Sequence, residues 1–335
     1  METQKNNLLL IDGHSLAYRA YYAFPNTMTL PDGSPSNALY GFITLLFGQI
    51  ERTKPKYLGV CFDRKEKTFR HEMYPAYKAH RPPSPQDFRD QIDALKILLN
   101  KIDVPVLELP GYEADDIIGT IGRRAEKEQI YSLVLTADKD FYQLISDYVH
   151  IIVPQRGARE SQIFKIKNIE AKYGLTPNQI IDLKALQGDP SDNIPGVAGV
   201  GEKTALTLLH EYPSLNDVYD NVDQLKSEKL KEKLINSKEQ AYLSYKLAEI
   251  NCEVPIDRGI AELLFEPNWE NILDSFKELQ FNNLYKKYLV KSEAHALSVK
   301  ETVNKQIEKT EYKLIDTLSA VKALIPKLKK GFACD

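Results

Sequence analysis

Residues 8–12 are Leu-Leu-Leu-Ile-Asp, an apolar run that stops at an aspartate. The same arrangement recurs at residues 57–63, Tyr-Leu-Gly-Val-Cys-Phe-Asp, and at residues 133–140, where Leu-Val-Leu leads into two further aspartates. Short apolar runs separated by helical segments are typical of buried parallel strands, and ligands bind beyond the carboxyl ends of such strands. The sequence therefore predicts an α/β fold with a mostly parallel sheet and a group of carboxylates at one edge.

Nine carboxylates belong to this pattern, because they lie at predicted strand ends or in turn-bounded segments. They are Asp12, Asp63, Glu113, Asp115, Asp116, Asp138, Asp140, Asp189 and Asp192. Each of them alone has an ordinary explanation as a helix cap, a first-turn acid or a turn residue. Together they would repel one another unless divalent cations such as Mg²⁺ bound between them. No Gly-x-Ser-x-Gly motif and no Ser/His/Asp order indicates a covalent nucleophile.

Composition limits the class of protein. The chain has 335 residues, enough for two or more domains, and lacks both an apolar run that could span a bilayer and a signal-peptide pattern. Its three cysteines are scattered, which predicts a reducing, cytoplasmic setting without membrane association. A net charge of −3 argues against nucleic-acid binding, but residues 64–81 carry six basic and two acidic side chains. That segment is either a phosphate-binding patch beside the acids or a solvated loop.

The chain divides by pattern into four predicted parts. Residues 1–174 form the α/β core, with helices predicted over 36–54 and 89–101 and a proline-rich arch at 77–85. Residues 175–290 form a helical region, and 291–310 are polar and aperiodic, which predicts a linker. Residues 311–335 begin a further domain, with a strand at 312–315 and a helix at 318–329. Since the chain stops within a second predicted strand, we expect it to be a fragment.

The second strong motif is Ile-Pro-Gly-Val-Ala-Gly-Val-Gly-Glu-Lys-Thr-Ala at residues 194–205. It differs from a Walker phosphate-binding loop because Glu202 separates the second glycine from the lysine, and no strand precedes it. We interpret it as a glycine hairpin between two short helices, a helix-hairpin-helix. Gly199, Gly201, Lys203 and Thr204 are then expected to contact a DNA phosphate without recognising its base. The alternative is an ordinary glycine-rich helix connection.

Seven motifs over residues 7–290 resemble the 5′-nuclease domains of bacterial DNA polymerase I, members of the flap endonuclease family. They lie at residues 11–13 (Ile-Asp-Gly), 18–21 (Tyr-Arg-Ala-Tyr), 60–63 (Val-Cys-Phe-Asp), 77–83 (Tyr-Lys-Ala-His-Arg-Pro-Pro), 113–116 (Glu-Ala-Asp-Asp), 137–140 (Ala-Asp-Lys-Asp) and 188–196 (Gly-Asp-Pro-Ser-Asp-Asn-Ile-Pro-Gly). The resemblance implies a PIN-like core with a helix-hairpin-helix. The tail from residue 312 resembles the opening of an RNase H-like 3′–5′ exonuclease domain, in which Asp335 would be the first metal ligand.

The resemblance implies hydrolysis of a phosphodiester by two Mg²⁺ ions, or Mn²⁺, where duplex DNA meets a displaced 5′ strand. Asp12, Asp63, Glu113 and Asp115 would be the nearer metal set, and Asp138, Asp140, Asp189 and Asp192 the farther one, with Asp116 a ligand directly or through water. Lys78 and Arg81 would be catalytic, whereas Arg19 and Arg70 would hold phosphates and Tyr77 would stack on a base. K⁺ is expected at the helix-hairpin-helix.

The expected partners are DNA with a 5′ flap or nick, duplexes containing an RNA primer, and polymerase domains in the same chain, in a monomer. Two alternatives belong to other classes. A PIN-type ribonuclease would share the acidic core but needs neither the arch nor the helix-hairpin-helix. A non-catalytic DNA-binding scaffold would be expected to lack some of the acids, and all nine are present.

Overall fold

A six-stranded sheet forms the centre of the N-terminal part of the computed structural model, which describes residues 7–154 and 161–309, with side chains as far as residue 297. Its strands are β1 (Asn7–Asp12), β2 (Tyr57–Cys61), β3 (Val106–Leu107), β4 (Tyr131–Leu135), β5 (Val149–Pro154) and β6 (Ser161–Phe164). They lie in the order β3-β2-β1-β4-β5-β6; β6 is antiparallel to β5, and all other neighbours are parallel. The predicted α/β fold with a mostly parallel sheet is confirmed.

Helices account for most of the remaining described residues. They are α1 (Gly13–Ala23), α2 (Asn37–Thr53), α3 (Phe69–Met73), α4 (Gln86–Lys101), α5 (Ala114–Lys127), α6 (Ile166–Tyr173), α7 (Gln179–Gln187), α8 (Glu202–Glu211), α9 (Leu215–Asp220), α10 (Glu228–Asn236), α11 (Lys238–Ala248), α12 (Trp269–Glu278) and α13 (Asn282–Lys309). Short 3₁₀ helices cover Asp140–Leu144, Val222–Gln224 and Ile260–Leu263. The helix predicted over 36–54 is α2, and the one over 89–101 is α4, which begins directly after Pro85. No helix covers residues 77–85, as the prolines predict.

Strand β1 positions the edge at which the predicted site lies. All six of its residues are buried, so its sequence shows no alternation of apolar and polar residues. Asp12 pairs in register with Cys61 of β2, and Ile11 pairs with Leu135 of β4. Because these strands are parallel and in register, the residues that follow each of them emerge at the same edge of the sheet.

Helices α7 to α11 surround a second apolar core, which includes Leu186, Val200, Leu208 and Leu234. The connection between α7 and α8 carries the glycine hairpin predicted from the sequence. Gly196 within it has a φ of 64°, and a Cβ there would lie 2.2 Å from the backbone nitrogen of Gly188. This close approach of two backbone segments leaves room only for glycine.

Helix α13 corrects one prediction. Residues 291–309, for which we predict an aperiodic linker, are helical. The segment contains neither proline nor glycine and is rich in lysine and glutamate, which favour helix. Its role as a linker stays a prediction. The chain forms two compact units, 1–282 and 283–335, and the strand and helix predicted at 312–315 and 318–329 lie outside the described residues. None of the described helices is long and apolar enough to cross a bilayer.

Candidate active site

Asp12 ends strand β1 and begins helix α1. Its Oδ1 accepts a hydrogen bond from the backbone N–H of Ser15 (3.0 Å), and its Oδ2 accepts one from the hydroxyl of Thr136 (2.8 Å). Thr136 follows strand β4, and its Oγ1 accepts a hydrogen bond from the backbone N–H of Asp138 (3.0 Å). Asp12 can therefore cap helix α1 and also lie beside the acids of the neighbouring strand, because one of its oxygens caps the helix while the other faces strand β4.

Asp63 joins the end of strand β2 to the start of helix α5. Its Oδ1 accepts a hydrogen bond from the backbone N–H of Ala114 (2.7 Å). Glu113 is the N-cap of α5, and its own N–H donates to Oδ2 of Asp116 (3.1 Å) in a capping box. Asp115 lies between them in the first turn, where the helix dipole favours negative charge. Its Oδ1 is buried and accepts no hydrogen bond.

Lys184 of helix α7 connects the acids that follow β4 with those that follow α7. Its ammonium group donates to Oδ1 of Asp140 and to Oδ2 of Asp189 (2.6 Å), and the residue is 9% exposed. The backbone N–H of Asp140 donates to Oδ1 of Asp138 (2.9 Å). On the other side, Oδ1 of Asp189 accepts from the N–H (2.8 Å) and hydroxyl (2.6 Å) of Ser191.

Lys78 lies between Asp192 and Glu113 and connects them. Its Nζ lies 2.8 Å from Oε1 of Glu113 and 3.8 Å from Oδ2 of Asp192. Its backbone N–H donates to the Asp192 carbonyl (2.9 Å). Arg81 forms an ion pair with Oδ1 of Asp192, and its Nε donates to the carbonyl of Ser191 (3.0 Å). The basic arch segment is thus attached directly to the acidic segments.

These contacts, together with the charge interaction between Asp12 and Asp63, connect eight of the nine acids at the carboxyl edge of the sheet, and we call this group the carboxylate ring. It comprises Asp12, Asp63, Glu113, Asp115, Asp138, Asp140, Asp189 and Asp192. Within residues 7–154 and 161–309, no three His, Cys, Asp or Glu side chains already form a metal-binding group. Lysine and arginine side chains lie between the acids instead.

Burial and mutual repulsion alter the pKa values of the ring. Burial, and then the charge of Asp63, raise the pKa of Asp12 from 3.8 to about 7. Burial, and then the charge of Asp138, raise the pKa of Asp140 to about 7. Burial raises the pKa of Asp115 well above its ordinary value. These three carboxyl groups therefore hold protons at a pH where exposed aspartates are ionised, so added positive charge beside them would be favourable.

The donor set fits hard divalent cations. The ring presents carboxylate oxygens from several segments and no thiolate, which is the ligand chemistry of Mg²⁺ and Mn²⁺. The buried Oδ1 of Asp115 lacks a hydrogen bond, and the closest approach to it by Arg70 is 3.9 Å, from Nη1. A buried carboxylate oxygen needs a partner. Metal binding by the eight acids of the ring stays a prediction.

Asp116 does not belong to the ring, and its hydrogen bonds contradict its prediction as a direct metal ligand, whereas coordination through water stays a prediction. The residue is fully buried and accepts four hydrogen bonds. Two come from Nη1 and Nη2 of Arg70 (2.8 Å each), and two come from the backbone N–H groups of Glu113 (3.1 Å) and Asn251 (2.8 Å). Each Asp116 oxygen accepts two of these bonds, which leaves neither oxygen a lone pair for a cation.

Two predicted DNA contacts are also contradicted. Arg70 is 1% exposed and Tyr77 is 3% exposed, so neither side chain can reach DNA in this structure. The Tyr77 hydroxyl donates to Oε2 of Glu113 (3.0 Å), which makes it a support of the carboxylate ring rather than a platform for a base. The sequence shows the charge and aromaticity of these residues but gives no indication that they face inward.

The remaining predicted DNA contacts lie at or near the surface. Gly199, Gly201 and Lys203 are exposed, and Thr204 is half-buried in the first turn of α8. Arg19 is half-buried on α1, and burial lowers the pKa of its guanidinium. The carbonyl of Gly199 accepts a hydrogen bond from Nζ of Lys233 (2.8 Å). DNA contact by these five residues and K⁺ binding at the hairpin stay predictions.

The comparison with known families fits this geometry. A model described as the 5′-3′ exonuclease N-terminal resolvase-like domain matches residues 7–174, and one described as the 5′-3′ exonuclease C-terminal SAM fold matches residues 175–271. The chain belongs to the 5′-3′ exonuclease family. The family indicated by the sequence motifs is therefore confirmed.

Curated relatives of this 5′-3′ exonuclease are longer proteins. DNA polymerase I of Bacillus subtilis is 41% identical over 283 residues, which are 84% of this chain and 32% of the relative. The thermostable DNA polymerase I of Thermus thermophilus is 41% identical over 280 residues, which are 84% of this chain and 33% of the relative. The chain thus spans about a third of the length of these relatives.

Solved structures show the same fold. The T5 flap endonuclease, crystallised as a pseudo-enzyme-product complex with DNA and metal ions, has a TM-score of 0.63 at 19% identity and covers 86% of this chain and 99% of its own. The catalytic core of Rad2 in complex with a DNA substrate has a TM-score of 0.54 at 15% identity, covering 82% and 87%. At these identities the likeness concerns the fold.

Sequence reasoning missed two residues of the site in this exonuclease. Lys184 stands within the apolar run Ile-Ile-Asp-Leu-Lys-Ala-Leu at residues 180–186, and a lysine inside such a run is a signal of a buried ion pair. Thr136 directly follows strand β4, and its uncharged hydroxyl does not belong to the pattern of strand-end carboxylates. Both residues hold carboxylates of the ring in place.

Proposed function

We propose that this exonuclease-family chain is a structure-specific nuclease that hydrolyses phosphodiester bonds of DNA at 5′ flaps, nicks and duplex 5′ ends. The observation that carries the proposal is the carboxylate ring attached through Lys78 to the basic arch segment. Acids that repel one another, beside cations that face the solvent, form a site for a phosphate held over divalent metal ions.

The acids of the ring are divided between two cation positions in this proposal. Asp12, Asp63, Glu113 and Asp115 come from β1, β2 and the start of α5, and would hold the nearer ion. Asp138, Asp140, Asp189 and Asp192 follow β4 and α7, and would hold the farther one. Mg²⁺, with Mn²⁺ as a substitute, supplies a water of lowered pKa and neutralises charge on the attacked phosphate.

Lys78 and Arg81 would bind the reacting phosphate. Their side chains are 23% and 49% exposed, and both contact Asp192 at the boundary between the carboxylate ring and the solvent. A phosphate at this boundary would meet both cations without entering the protein core. Arg81 carries a planar guanidinium that can bond two phosphate oxygens, whereas Lys78 provides a compact charge.

Duplex DNA would bind through the glycine hairpin and the first turn of α8. Gly201 is the N-cap of α8 and has no side chain that could bond the first N–H groups of the helix. Lys203 is exposed in the following turn. Backbone N–H groups and a lysine recognise phosphate without distinguishing bases. Specificity would therefore depend on the structure of the strands and not on their sequence.

The longer relatives suggest the setting of the reaction. They are DNA polymerases, so we propose that polymerase domains act in the same chain, in the cytoplasm, as a monomer, during replication and repair. A nuclease in that position would also remove RNA primers from duplex. The T5 enzyme whose fold is similar is called a flap endonuclease and was crystallised with DNA and metal ions, which agrees with the proposed substrate and cofactor.

A cleavage assay on matched substrates tests the proposal. We expect the protein to cut 5′-flap DNA in Mg²⁺, to lose activity in chelator, and to leave single-stranded RNA of the same sequence intact. Asp115→Asn, which removes a carboxylate without changing its size, should lower the single-turnover rate by at least about 100-fold. Preference for RNA would indicate the PIN-type ribonuclease, and DNA binding without any cleavage would indicate the scaffold.

A further inference from the structure

Arg70 uses every donor of its guanidinium group inside the protein. Nη1 and Nη2 both bond Asp116 (2.8 Å each), and Nη1 also donates to Oε2 of Glu113 (3.2 Å). Nε donates to the carbonyl of Leu247 (3.0 Å), and Nη2 donates to the carbonyl of Glu249 (2.7 Å). One buried side chain thus joins the acids at the start of α5 to the end of α11.

Helix α11 in turn contacts the glycine hairpin. The hydroxyl of Ser244, on the buried face of α11, accepts a hydrogen bond from the backbone N–H of Gly196 (2.9 Å). Ser244 lies one turn before Leu247, whose carbonyl is bonded to Arg70. Hydrogen bonds at both ends and the helical backbone of α11 between Ser244 and Leu247 therefore connect the hairpin, through Arg70, to Glu113 of the carboxylate ring.

The segment that follows α11 also bonds Asp116 directly. The backbone N–H of Asn251 donates to Oδ1 of Asp116 (2.8 Å). Gln143 adds support, since its side chain donates to the Ala248 carbonyl (3.0 Å) and accepts from the N–H of Ile250 (2.9 Å). Residues 248–251 are thereby fixed against α5, so a displacement of α11 would be transmitted to the acids and not absorbed by a loose connection.

We propose that Arg70 is a positioning residue that couples duplex binding at the hairpin to the placement of Glu113. It acts through Asp116, Leu247 and Glu249 and touches neither DNA nor the reacting phosphate. Lysine cannot replace it, because an ammonium group has no planar fork to bond Asp116 at two oxygens while also reaching two carbonyls. This inference rests on the proposed nuclease function.

A series of 5′-flap DNA substrates with stepwise shorter duplexes tests the coupling. At saturating enzyme, we expect the wild-type single-turnover rate to rise by about fivefold or more once the duplex is long enough to reach the hairpin. Arg70→Lys should lose this gain while its dissociation constant for the longest duplex stays within about twofold of wild type. A purely structural role would lower rates equally at all duplex lengths.

Arg124→Lys is the matched control. Arg124 lies on α5 and, like Arg70, binds backbone carbonyls of a neighbouring segment. Its Nη1 donates to the carbonyls of Ile256 (2.8 Å) and Arg258 (3.1 Å), and its hydrogen bonds involve no carboxylate of the ring. We expect this variant to keep the full gain in rate with duplex length. If Arg70→Lys keeps the gain as well, or if the wild type shows none, the proposal is overturned.

Hydrogen exchange in the wild-type protein gives a second measurement that needs neither cleavage nor a folded Arg70 variant. The amides of Asn251 and Glu113 both bond Asp116, so they report on the two ends of the connection. Adding a plain duplex should slow both. Slowing at Asn251 alone, or at neither amide, would overturn the coupling. Absence of cleavage with every substrate would instead reject the proposed function, and the exchange result would still decide on Arg70.

Discussion

At the scale of single residues, lysine and arginine side chains carry out part of the charge neutralisation expected of metal ions. Lys184 lies between Asp140 and Asp189, and Lys78 lies between Glu113 and Asp192. Asp12 has no such cation bonded to it: its side chain accepts bonds from a backbone N–H and a hydroxyl. In the metal-free protein, ionisation of Asp12 therefore destabilises the folded state.

Asp12→Asn should therefore stabilise the metal-free protein. The pKa of Asp12 is about 7 in the folded protein and 3.8 ordinarily, so between these values the folded state holds a proton that the unfolded chain has lost. The free energy of unfolding then falls as pH rises through this window. In chelator, we expect the wild-type Tm to fall between pH 5 and pH 8, and Asp12→Asn to raise it at pH 8 by about 3–6 °C.

Calorimetry in chelator across this pH range checks the prediction. Asp63→Asn is a suitable comparison, because Asp63 lies in the same ring but is 48% exposed at its side chain. It should change the Tm by less than Asp12→Asn does. A variant Asp12→Asn that melts below the wild type at pH 8 would show that the hydrogen bond lost to Thr136 outweighs the relief of repulsion.

Lys78 and Arg81 give a prediction about rate. If they bind the reacting phosphate, Lys78→Ala and Arg81→Ala should each lower the single-turnover rate on 5′-flap DNA by about 10-fold to 1000-fold, with a change in duplex affinity of less than about threefold. Lys226→Ala, an exposed lysine preceding α10, is the control for a general loss of charge. Equal losses of rate and affinity would make Lys78 and Arg81 ordinary DNA-binding residues.

The residues that sequence reasoning placed wrongly share one physical cause. The charge and aromaticity of Arg70, Tyr77 and Asp116 suit DNA or metal, but their side chains are buried: Arg70 bonds Asp116, and Tyr77 bonds Glu113. Burial depends on contacts between segments far apart in the chain, such as Arg70 with Leu247. The strand-end acids were easier to predict, since their position follows from the local apolar run before each of them.

At the scale of elements, the glycine hairpin between α7 and α8 combines two constraints. Gly199 has a φ of 72°, and a Cβ there would lie 2.6 Å from Nζ of Lys233. Its carbonyl is bonded to that same ammonium group, so the stem of Lys233 lies across the glycine. The hairpin conformation therefore depends on α10 as well as on its own glycines, which its sequence alone does not show.

Substitutions in the hairpin should separate binding from cleavage. Lys203→Ala is expected to weaken duplex binding equally for all sequences and to reduce the salt slope of the binding constant by about one. Gly199→Val should weaken binding further, because it strains the backbone and displaces Lys233. Lys203→Ala should keep the single-turnover rate within about threefold of wild type, because saturating enzyme restores duplex contact at a hairpin whose backbone is unchanged.

Titration of duplex binding against salt concentration measures both effects. Lys229→Ala removes an exposed lysine from α10 and provides a charge-matched control. An unchanged salt slope in Lys203→Ala would mean that this lysine contacts no phosphate, and the hairpin would then be an ordinary helix connection.

Helices α2 and α4 are predictable from the helical periodicity of their apolar residues. Helix α13 is not predictable in this way, because its polar sequence shows no periodic apolar face.

At the scale of the whole molecule, the carboxylate ring joins segments from residue 12 to residue 192, and so links the sheet to the helical region. The formal net charge of the chain is −3, so the four positive charges of two divalent cations would reverse its sign. Cation binding should therefore favour both the folded state and the approach of DNA. The sequence alone predicts this effect of cations on folding and DNA binding only if the acids lie close together in the fold.

The melting temperature of the whole chain tests whether the acids act as one cation site. Mg²⁺ that binds only the folded protein at 100 times its dissociation constant adds about 2.7 kcal/mol to the free energy of unfolding, which we expect to raise the Tm by roughly 5 °C over the value in chelator. NaCl at matched ionic strength should produce a much smaller rise, since monovalent ions screen the acids without binding between them. Asp115→Asn should lose most of the Mg²⁺ effect, because Oδ1 of Asp115 is the ring oxygen that is buried without a hydrogen bond. A Tm that is the same in chelator, in NaCl and in Mg²⁺ would show that the eight acids are held together by Lys78, Lys184 and the backbone alone.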